Sequence, residues 1–431
     1  MLKESIYNLR RQPVISIVTI AGTALSIFLI MVVVMMQQVR TAPYAPESNR
    51  DRFLHYPYIS FSNSQWTDNP EESNSNGPMS WFVVKNLFYP LETPEAVTAY
   101  TISTDVYSIG VKGEKPFAGD VRDTDAAYFK VFDFKFVDGK PFSQEDFDAS
   151  LPRAVIDTNV AARLFGKQSA VGRRFEINGG EYTVCGVVEP VSTLASHAYS
   201  QIWIPATTGH MIEADWSTLG GMFTVTILTR EGGSEQEVRD EFKRRSDEFG
   251  KTIAENGWVI LHRGRPYTQE VNELSSSSNN EPDIEGAHRR NLIIYAILLL
   301  VPAINLSSMT HSRLRRRVSE IAVRRAFGAT RSVIFLDILT ENFLVTLIGG
   351  IIGILMSVVA AFLFVDVLFS QSYVYYVSSV SVDVSMLLHW STFGWALLFC
   401  FFLNMLSAGI PAMQMARIGL VNSLRGKDAG K

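Results

Sequence analysis

The run Val14–Met36 holds 23 residues without one charged side chain. As a helix rising 1.5 Å per residue it spans roughly 34 Å, enough for the hydrocarbon core of a bilayer. Three more apolar runs follow, at about 292–309, 343–365 and 392–410. A cleaved signal peptide is a poor reading of the first, because an h-region is usually about 7–15 residues. No small-x-small site follows it either, only Met35, Met36, Gln37 and Gln38. The expectation is a retained anchor and a multi-pass α-helical membrane protein with four transmembrane helices.

Charge sets the orientation. The chain as a whole is −4, yet 1–12, 311–336 and 414–431 are each net positive. Seven of the arginines lie in 311–336 alone. Cytoplasmic flanks carry the Lys and Arg excess. The predicted order is a cytoplasmic interfacial helix 1–13, transmembrane helix 1 over 14–37, and a periplasmic domain 38–290. Transmembrane helix 2 follows at 291–310, a cytoplasmic segment at 311–334 and transmembrane helix 3 at 335–366. A periplasmic loop 367–390, transmembrane helix 4 at 391–412 and a cytoplasmic tail 413–431 complete the chain.

The large domain reads as α+β. Arg52–Ser62 is strand-like around Pro57, Ser64–Pro78 a polar loop, Met79–Tyr89 a helix and Ala96–Ile109 strand. A second such unit has strand Met222–Thr229, a charged helix Ser234–Phe249 with Val238, Phe242 and Phe249 on its buried stripe, and strand Trp258–His262. Together they predict one βαβ subdomain made from both flanks. Between them, about 112–206, lies an inserted small β-domain. Its strands are Arg153–Asp157, Gly172–Ile177, Tyr182–Val188 and an edge strand Ile202–Ile204, with a helix at Thr158–Phe165. Asn178-Gly179-Gly180 is its hairpin turn. Tyr267–Glu285 is polar and reads as a flexible lead into the second span.

No catalytic constellation emerges. Gly250-Lys251-Thr252 has the tail of a P-loop, but the glycine that spacing needs is Arg245. Gly250 reads instead as a helix C-cap. The seven histidines show no metal-ligand spacing, and no G-x-S-x-G elbow is present. Cys185 and Cys400 fall in different regions and make no framework. Tyr44, Tyr56, Tyr58, Trp66, Trp81 and Tyr89 form either a binding wall or, more commonly for such residues, aromatic core. The chain reads as no enzyme and binds no cofactor or metal itself.

Arg313–Thr330 is more telling. Leu314, Val318, Ile321 and Ala322 fall at i, i+4, i+7 and i+8, one apolar stripe with Arg315, Arg316 and Arg324 off it. Gly328 suits a C-cap and Thr330 the N-cap of the next helix. Asp337 and Glu341, four apart, share a face early in that helix and call for an arginine partner. Further on, Gly349 and Gly353 form a GxxxG pair for close helix approach, within the chain or across a dimer.

The stretch SEIAVRRAFGATRSVIFLDILTENFLVTLIGGIIGILM resembles the segment after the second span in MacB/FtsX-type permeases of ABC transporters, the mechanotransmission or type VII class. NLRRQPVISIVTIAGTALSIF is similar to that family's N-terminus. IPAMQMARIGLVNSLRG is similar to its closing pattern, although Gly419-Leu420 replaces the usual acidic-proline step. PRAVIDTNVAARLFGKQSAVGRRFEINGGEYTVCGVVEP resembles its small β-domain. The resemblance implies a permease in the bacterial inner membrane, both termini cytoplasmic, paired with a second permease chain as homo- or heterodimer. It implies a separate cytoplasmic ABC ATPase dimer that hydrolyses ATP with Mg, and a periplasmic adaptor or outer-membrane channel as a further partner; nucleic acid has no place in it. Efflux or extraction of a substrate is the implied task; an FtsX-like signalling role toward a periplasmic or cell-wall protein is the alternative. By position, Leu314, Val318, Glu320, Ile321, Arg324, Arg325, Gly328 and Ala329 would make the ATPase-coupling element.

Overall fold

The computed structural model describes residues 13–275, 278–297, 300, 323–324, 327–369, 377, 384–387, 394, 398 and 401–402. They divide into two units, one holding 1–38, 286–368 and 383–431, the other 39–285 and 369–382. Residues 1–12 of the interfacial helix 1–13, most of the basic stretch, the tail 413–431 and much of the second and fourth spans lie outside the described residues.

Among the described residues, two helices are long and apolar enough to cross a membrane. α1 spans Pro13–Thr41. The other, Arg331–Leu363 (named α8 below), follows the basic stretch. Residues 284–297 and 300 are helical, as are 394, 398, 401 and 402. Gly349 and Gly353 lie where the two long helices touch. A Cβ on Gly349 would come within 2.8 Å of Thr23 Cβ, and one on Gly353 within 2.6 Å of the Ala24 carbonyl. The GxxxG pair therefore packs against the first span of the same chain. Bare Cα atoms let the backbones approach, and in lipid this packing replaces the hydrophobic drive.

The second unit is built around strands. The interruption of Arg52–Ser62 at Pro57 separates two strands. β1 (Phe53–Tyr56) and β2 (Ile59–Asn63) belong to different sheets, split at Pro57, which has no N–H for a ladder. The loop Ser64–Pro78 contains a further strand, β3 (Ser75–Gly77), paired with β2. α2 (Trp81–Val83) starts at the Ser80 cap and runs into a π turn to Phe88. β4 (Ala96–Thr101), β5 (Asp105–Gly110) and β6 (Phe117–Thr124) follow, then α3 (Tyr128–Val131), β7 (Phe136–Gly139) and α4 (Gln144–Asp148). β8 (Arg153–Asp157), α5 (Thr158–Phe165), β9 (Arg174–Ile177), β10 (Gly180–Val188) and β11 (Ile202–Pro205) come next. The last elements are β12 (Phe223–Leu228), α6 (Glu235–Ala254), β13 (Trp258–Leu261), β14 (Tyr267–Thr268) and α7 (Gln269–Leu274).

Pairing closes β6, β11, β8, β10, β9 and β5 into a ring, because β11 bonds to both β8 and β6. Ile202–Ile204 is thus no edge strand: all four residues of β11 are buried. The small β-domain also begins earlier than 112, since β5 is one of its staves and Ile109 lies in its core with Val121, Ile156, Phe175 and Ile204. Nor is it a separate insert. Tyr100 pairs with Thr124, which joins the barrel to the antiparallel sheet β4-β12-β1-β14 in one continuous sheet. Asn178 and Gly179, both at positive φ, make the β9–β10 turn.

β1 and β12 are buried on both faces; β12 reads as an unbroken apolar or β-branched run, while β1 carries His55 on the face opposite Leu54 and Tyr56. On one face Tyr56 meets Phe88 and Phe242, with ring centroids 5.0 and 5.6 Å away. Val238, Phe242, Phe249 and Ile253 are the buried stripe of α6. That helix passes through Gly250 to Ala254, so Gly250 is no C-cap; the residue at positive φ beyond the helix is Gly257. Tyr267–Glu285, expected to be featureless, holds β14 and α7, with Tyr267 and Gln269 buried. The aromatic wall does not assemble either. Tyr44 and Tyr56 are buried in separate surroundings, Trp81 packs on Tyr89, and Trp66 joins Phe61 and Trp258.

Candidate coupling turn and a buried polar joint

The described part of the basic stretch is a turn leading into α8 (Arg331–Leu363). Residues 323–324 are helical. The Phe327 amide donates to the Val323 carbonyl at 3.1 Å, and the Ala329 amide reaches back to the Arg324 carbonyl at 3.1 Å. That i to i−5 bond is the closing bond of a Schellman motif, and Gly328 takes the positive φ, +95°, that it demands. Thr330 then caps α8, its hydroxyl accepting from the Val333 amide at 3.4 Å. Arg324 Nη1 lies 3.3 Å from Asp337 Oδ2, an ion pair that bridges the turn. Asp337 lies in the second turn of α8, near the helix's positive end. Two backbone bonds and this ion pair close the turn, and it presents an apolar knob: Phe327 is 89% exposed and Val323 47%.

Of the expected coupling residues, Arg324, Gly328 and Ala329 are thus brought together in one turn. Leu314, Val318, Glu320, Ile321 and Arg325 lie outside the described residues. Phe327 was not singled out from the sequence. Its signal was there, an aromatic residue directly before the capping glycine in a segment rich in arginine.

In the other unit, a polar network is buried on the second face of β1 and β12. Glu47 and Arg50 form an ion pair at 2.7 Å with side chains 0% and 1% exposed. Arg50 also donates to the carbonyls of Val39 (2.8 Å), Ala42 (3.1 Å) and Leu194 (3.3 Å) and to the Tyr44 hydroxyl (2.9 Å). The other oxygen of Glu47 accepts from the amides of His197 and Ala198 at 2.9 and 3.0 Å. His55 and His197 stack with centroids 4.3 Å apart. Burial drives His197 down to about 3, helped by the Arg50 and Arg122 guanidinium groups. Burial also holds His55 well below the usual imidazole range, with His197 beside it. Both rings are therefore neutral at pH 7 and serve as hydrogen-bonding groups. The network joins residues 47–55 to 194–198, 226 and 269. Separations of 144 to 214 residues hide it from sequence patterns, and the Glu47-Arg50 spacing is its local sign.

Among the described residues no group of three or more His, Cys, Asp or Glu is placed to hold a metal ion. Cys185, partly buried, has its thiol pushed up to about 12 by burial, which disfavours the thiolate.

Comparison with known proteins gives the family. The model for the MacB-like periplasmic core domain matches residues 16–245, and that for the FtsX-like permease C-terminal region matches 292–420. The macrolide export ATP-binding/permease protein MacB of Acinetobacter baylyi is 28% identical over 53% of this chain and 32% of its own length. The uncharacterized ABC transporter permease YknZ of Bacillus subtilis is 24% identical over 83% of each chain. The chain thus spans about a third of that MacB relative and most of YknZ. The periplasmic region of MacB from Actinobacillus actinomycetemcomitans covers 51% of this chain and 92% of its own, at 14% identity and a TM-score of 0.33. With both family regions present in order and no P-loop in its sequence, this chain belongs to the MacB/FtsX-type ABC transporter permeases.

Proposed function

We propose that the chain is the membrane subunit through which a separate cytoplasmic ABC ATPase drives conformational change in the outer domain, for efflux or extraction of a substrate. ATP and Mg are bound by that partner. A second permease chain completes a two-fold assembly, with a periplasmic adaptor or outer-membrane channel beyond it. The turn at 323–337 carries this reading. It is short, closed by backbone bonds and an ion pair, and offers an exposed phenylalanine at the start of a helix long enough to cross a bilayer. A buried aromatic anchor in a partner's pocket is the common form of an interface hot spot. A residue of the 367–390 loop supports the orientation: the Val377 amide donates to both carboxylate oxygens of Asp120 at 3.1 Å. That loop and the outer domain then share one side of the membrane.

The test is the double variant Glu320→Ala, Arg324→Ala in the full chain with the ATPase that co-purifies with it. ATP hydrolysis should persist while transport is lost, and the melting of the outer domain should not change. Full coupled transport in the double variant would contradict the assignment.

A further inference from the structure

The last four carbonyls of a helix find no partner within it and are usually left to water or a local cap. In the last turn of α1 two of them, those of Val39 and Arg40, are taken by side chains from beyond the helix. The Val39 carbonyl accepts from Arg50 Nη1 at 2.8 Å and from the Tyr44 hydroxyl at 2.9 Å. The Arg40 carbonyl accepts from Gln269 Nε2 at 2.9 Å. One residue past the helix, the Ala42 carbonyl accepts from Arg50 as well. A guanidinium charge suits the negative end of the helix dipole. Val39, Arg50 and Gln269 are buried, so little water competes for the bonds at Val39, while those at Arg40 and Ala42 are part-buried.

Both donors are held from behind. Gln269 opens α7, and its Oε1 lies 2.7 Å from His55 Nε2 on β1. His55 Nδ1 is 3.2 Å from the Thr226 hydroxyl on β12, which meets the Tyr100 hydroxyl of β4 at 2.8 Å. That branch ends in the sheet. The other runs from Arg50 through Glu47 to the His197 and Ala198 amides. The Ala198 carbonyl accepts from the Trp203 indole at 3.2 Å, and Trp203 stands in β11 of the barrel.

We infer that Arg50 and Gln269 are positioning residues, a two-point grip on the end of the first span that passes its displacement to the sheet through His55 and to the barrel through Glu47 and Trp203. The inference rests on the mechanotransmission reading and adds where the motion crosses into the outer domain. An anchor that only stabilised the fold would cost melting temperature when cut. The grip costs transmitted motion even where the fold survives.

The experiment uses the full chain in nanodiscs with its co-purifying ATPase. Nitroxides replace the exposed Val137 of β7 and Val259 of β13, and the distance between them is followed by pulsed dipolar spectroscopy with and without ATP and vanadate. The parent should show an ATP-dependent shift. Gln269→Leu, which removes the amide at similar volume, and Arg50→Lys, which keeps the charge but loses the fork, should each cut the shifted population about fivefold. ATP hydrolysis should continue, and the Gln269→Leu outer domain should keep its near-native melting. If Arg50→Lys fails to fold, Gln269→Leu decides alone. A full shift in the folded variants overturns the grip and leaves the mechanotransmission reading standing. No shift in the parent during ATP hydrolysis overturns that reading, and the grip with it.

Discussion

Asp123 is the residue whose surroundings fit its charge least. It shares a face of β6 with Val121 of the barrel core, and both its carboxylate oxygens are buried with no hydrogen-bond partner among the described residues. A Cβ at Gly209 would fall 1.7 Å from its Oδ1, so only a glycine makes room for it. Burial, with Asp105 adding to it, pushes its carboxyl up to about 8. The unfolded chain ionises it near 3.9. Between those values the folded protein keeps a proton that the unfolded chain has lost, so stability falls as pH rises through the window. Asp123→Asn should therefore raise the melting temperature at pH 9 and leave it unchanged at pH 4, read by thermal unfolding. His197 works in the other sense. Its folded value near 3 lies below the unfolded 6.5, so the unfolded chain takes the proton first as pH falls. Outer-domain stability should drop by up to about 1.4 kcal/mol per pH unit below 6.5, and His197→Gln should flatten that slope. Neither residue was legible as special in the sequence. Isolated acids and histidines look alike until burial and neighbours are known. Gly328 and Thr330 were legible, because a capping glycine and a threonine at an N-cap act through local backbone geometry.

Elements with a strong local code were readable in the same way. The boundaries Arg153–Asp157 and Thr158–Phe165 coincide with β8 and α5, where Asp157 closes the strand and caps the helix. The stripe of α6 follows its 3.6-residue period, and the Asn-Gly turn fixes one hairpin. What failed was non-local. β11 looked like an edge because nothing in four residues says that two partners, β6 and β8, wait on either side. β5 looked continuous with β4, although the bend at 102–104 sends it into the barrel. GxxxG was visible as a motif, but its partner helix was not. Gly353→Val should now cost about 1–3 kcal/mol, the usual penalty for forcing a side chain into a packed contact. Thermal unfolding in detergent would show it, with the exposed Ile352→Val as control. An unchanged melting point for Gly353→Val would mean that α1 and α8 do not pack there.

For the molecule as a whole, charge asymmetry and the apolar runs spoke first. They implied an outer domain and a cytoplasmic turn on opposite faces of a bilayer. In a variant lacking Cys185 and Cys400, a cysteine at Asn280 should react with an impermeant maleimide added outside intact cells, and one at Ser332 only after lysis. The barrel and sheet, joined through Tyr100 and Thr124, give the outer domain a continuous framework. On the proposed reading, the turn at the start of α8 is where the ATPase engages the chain. The most direct measurement of that claim places a photo-crosslinking amino acid at Phe327 in the full-length chain in membranes, with Val137 of the outer domain as control. The account predicts that light captures an ABC ATPase from position 327 and none from 137. Capture from 137, or none from 327 in membranes where the ATPase is present and active, would contradict it.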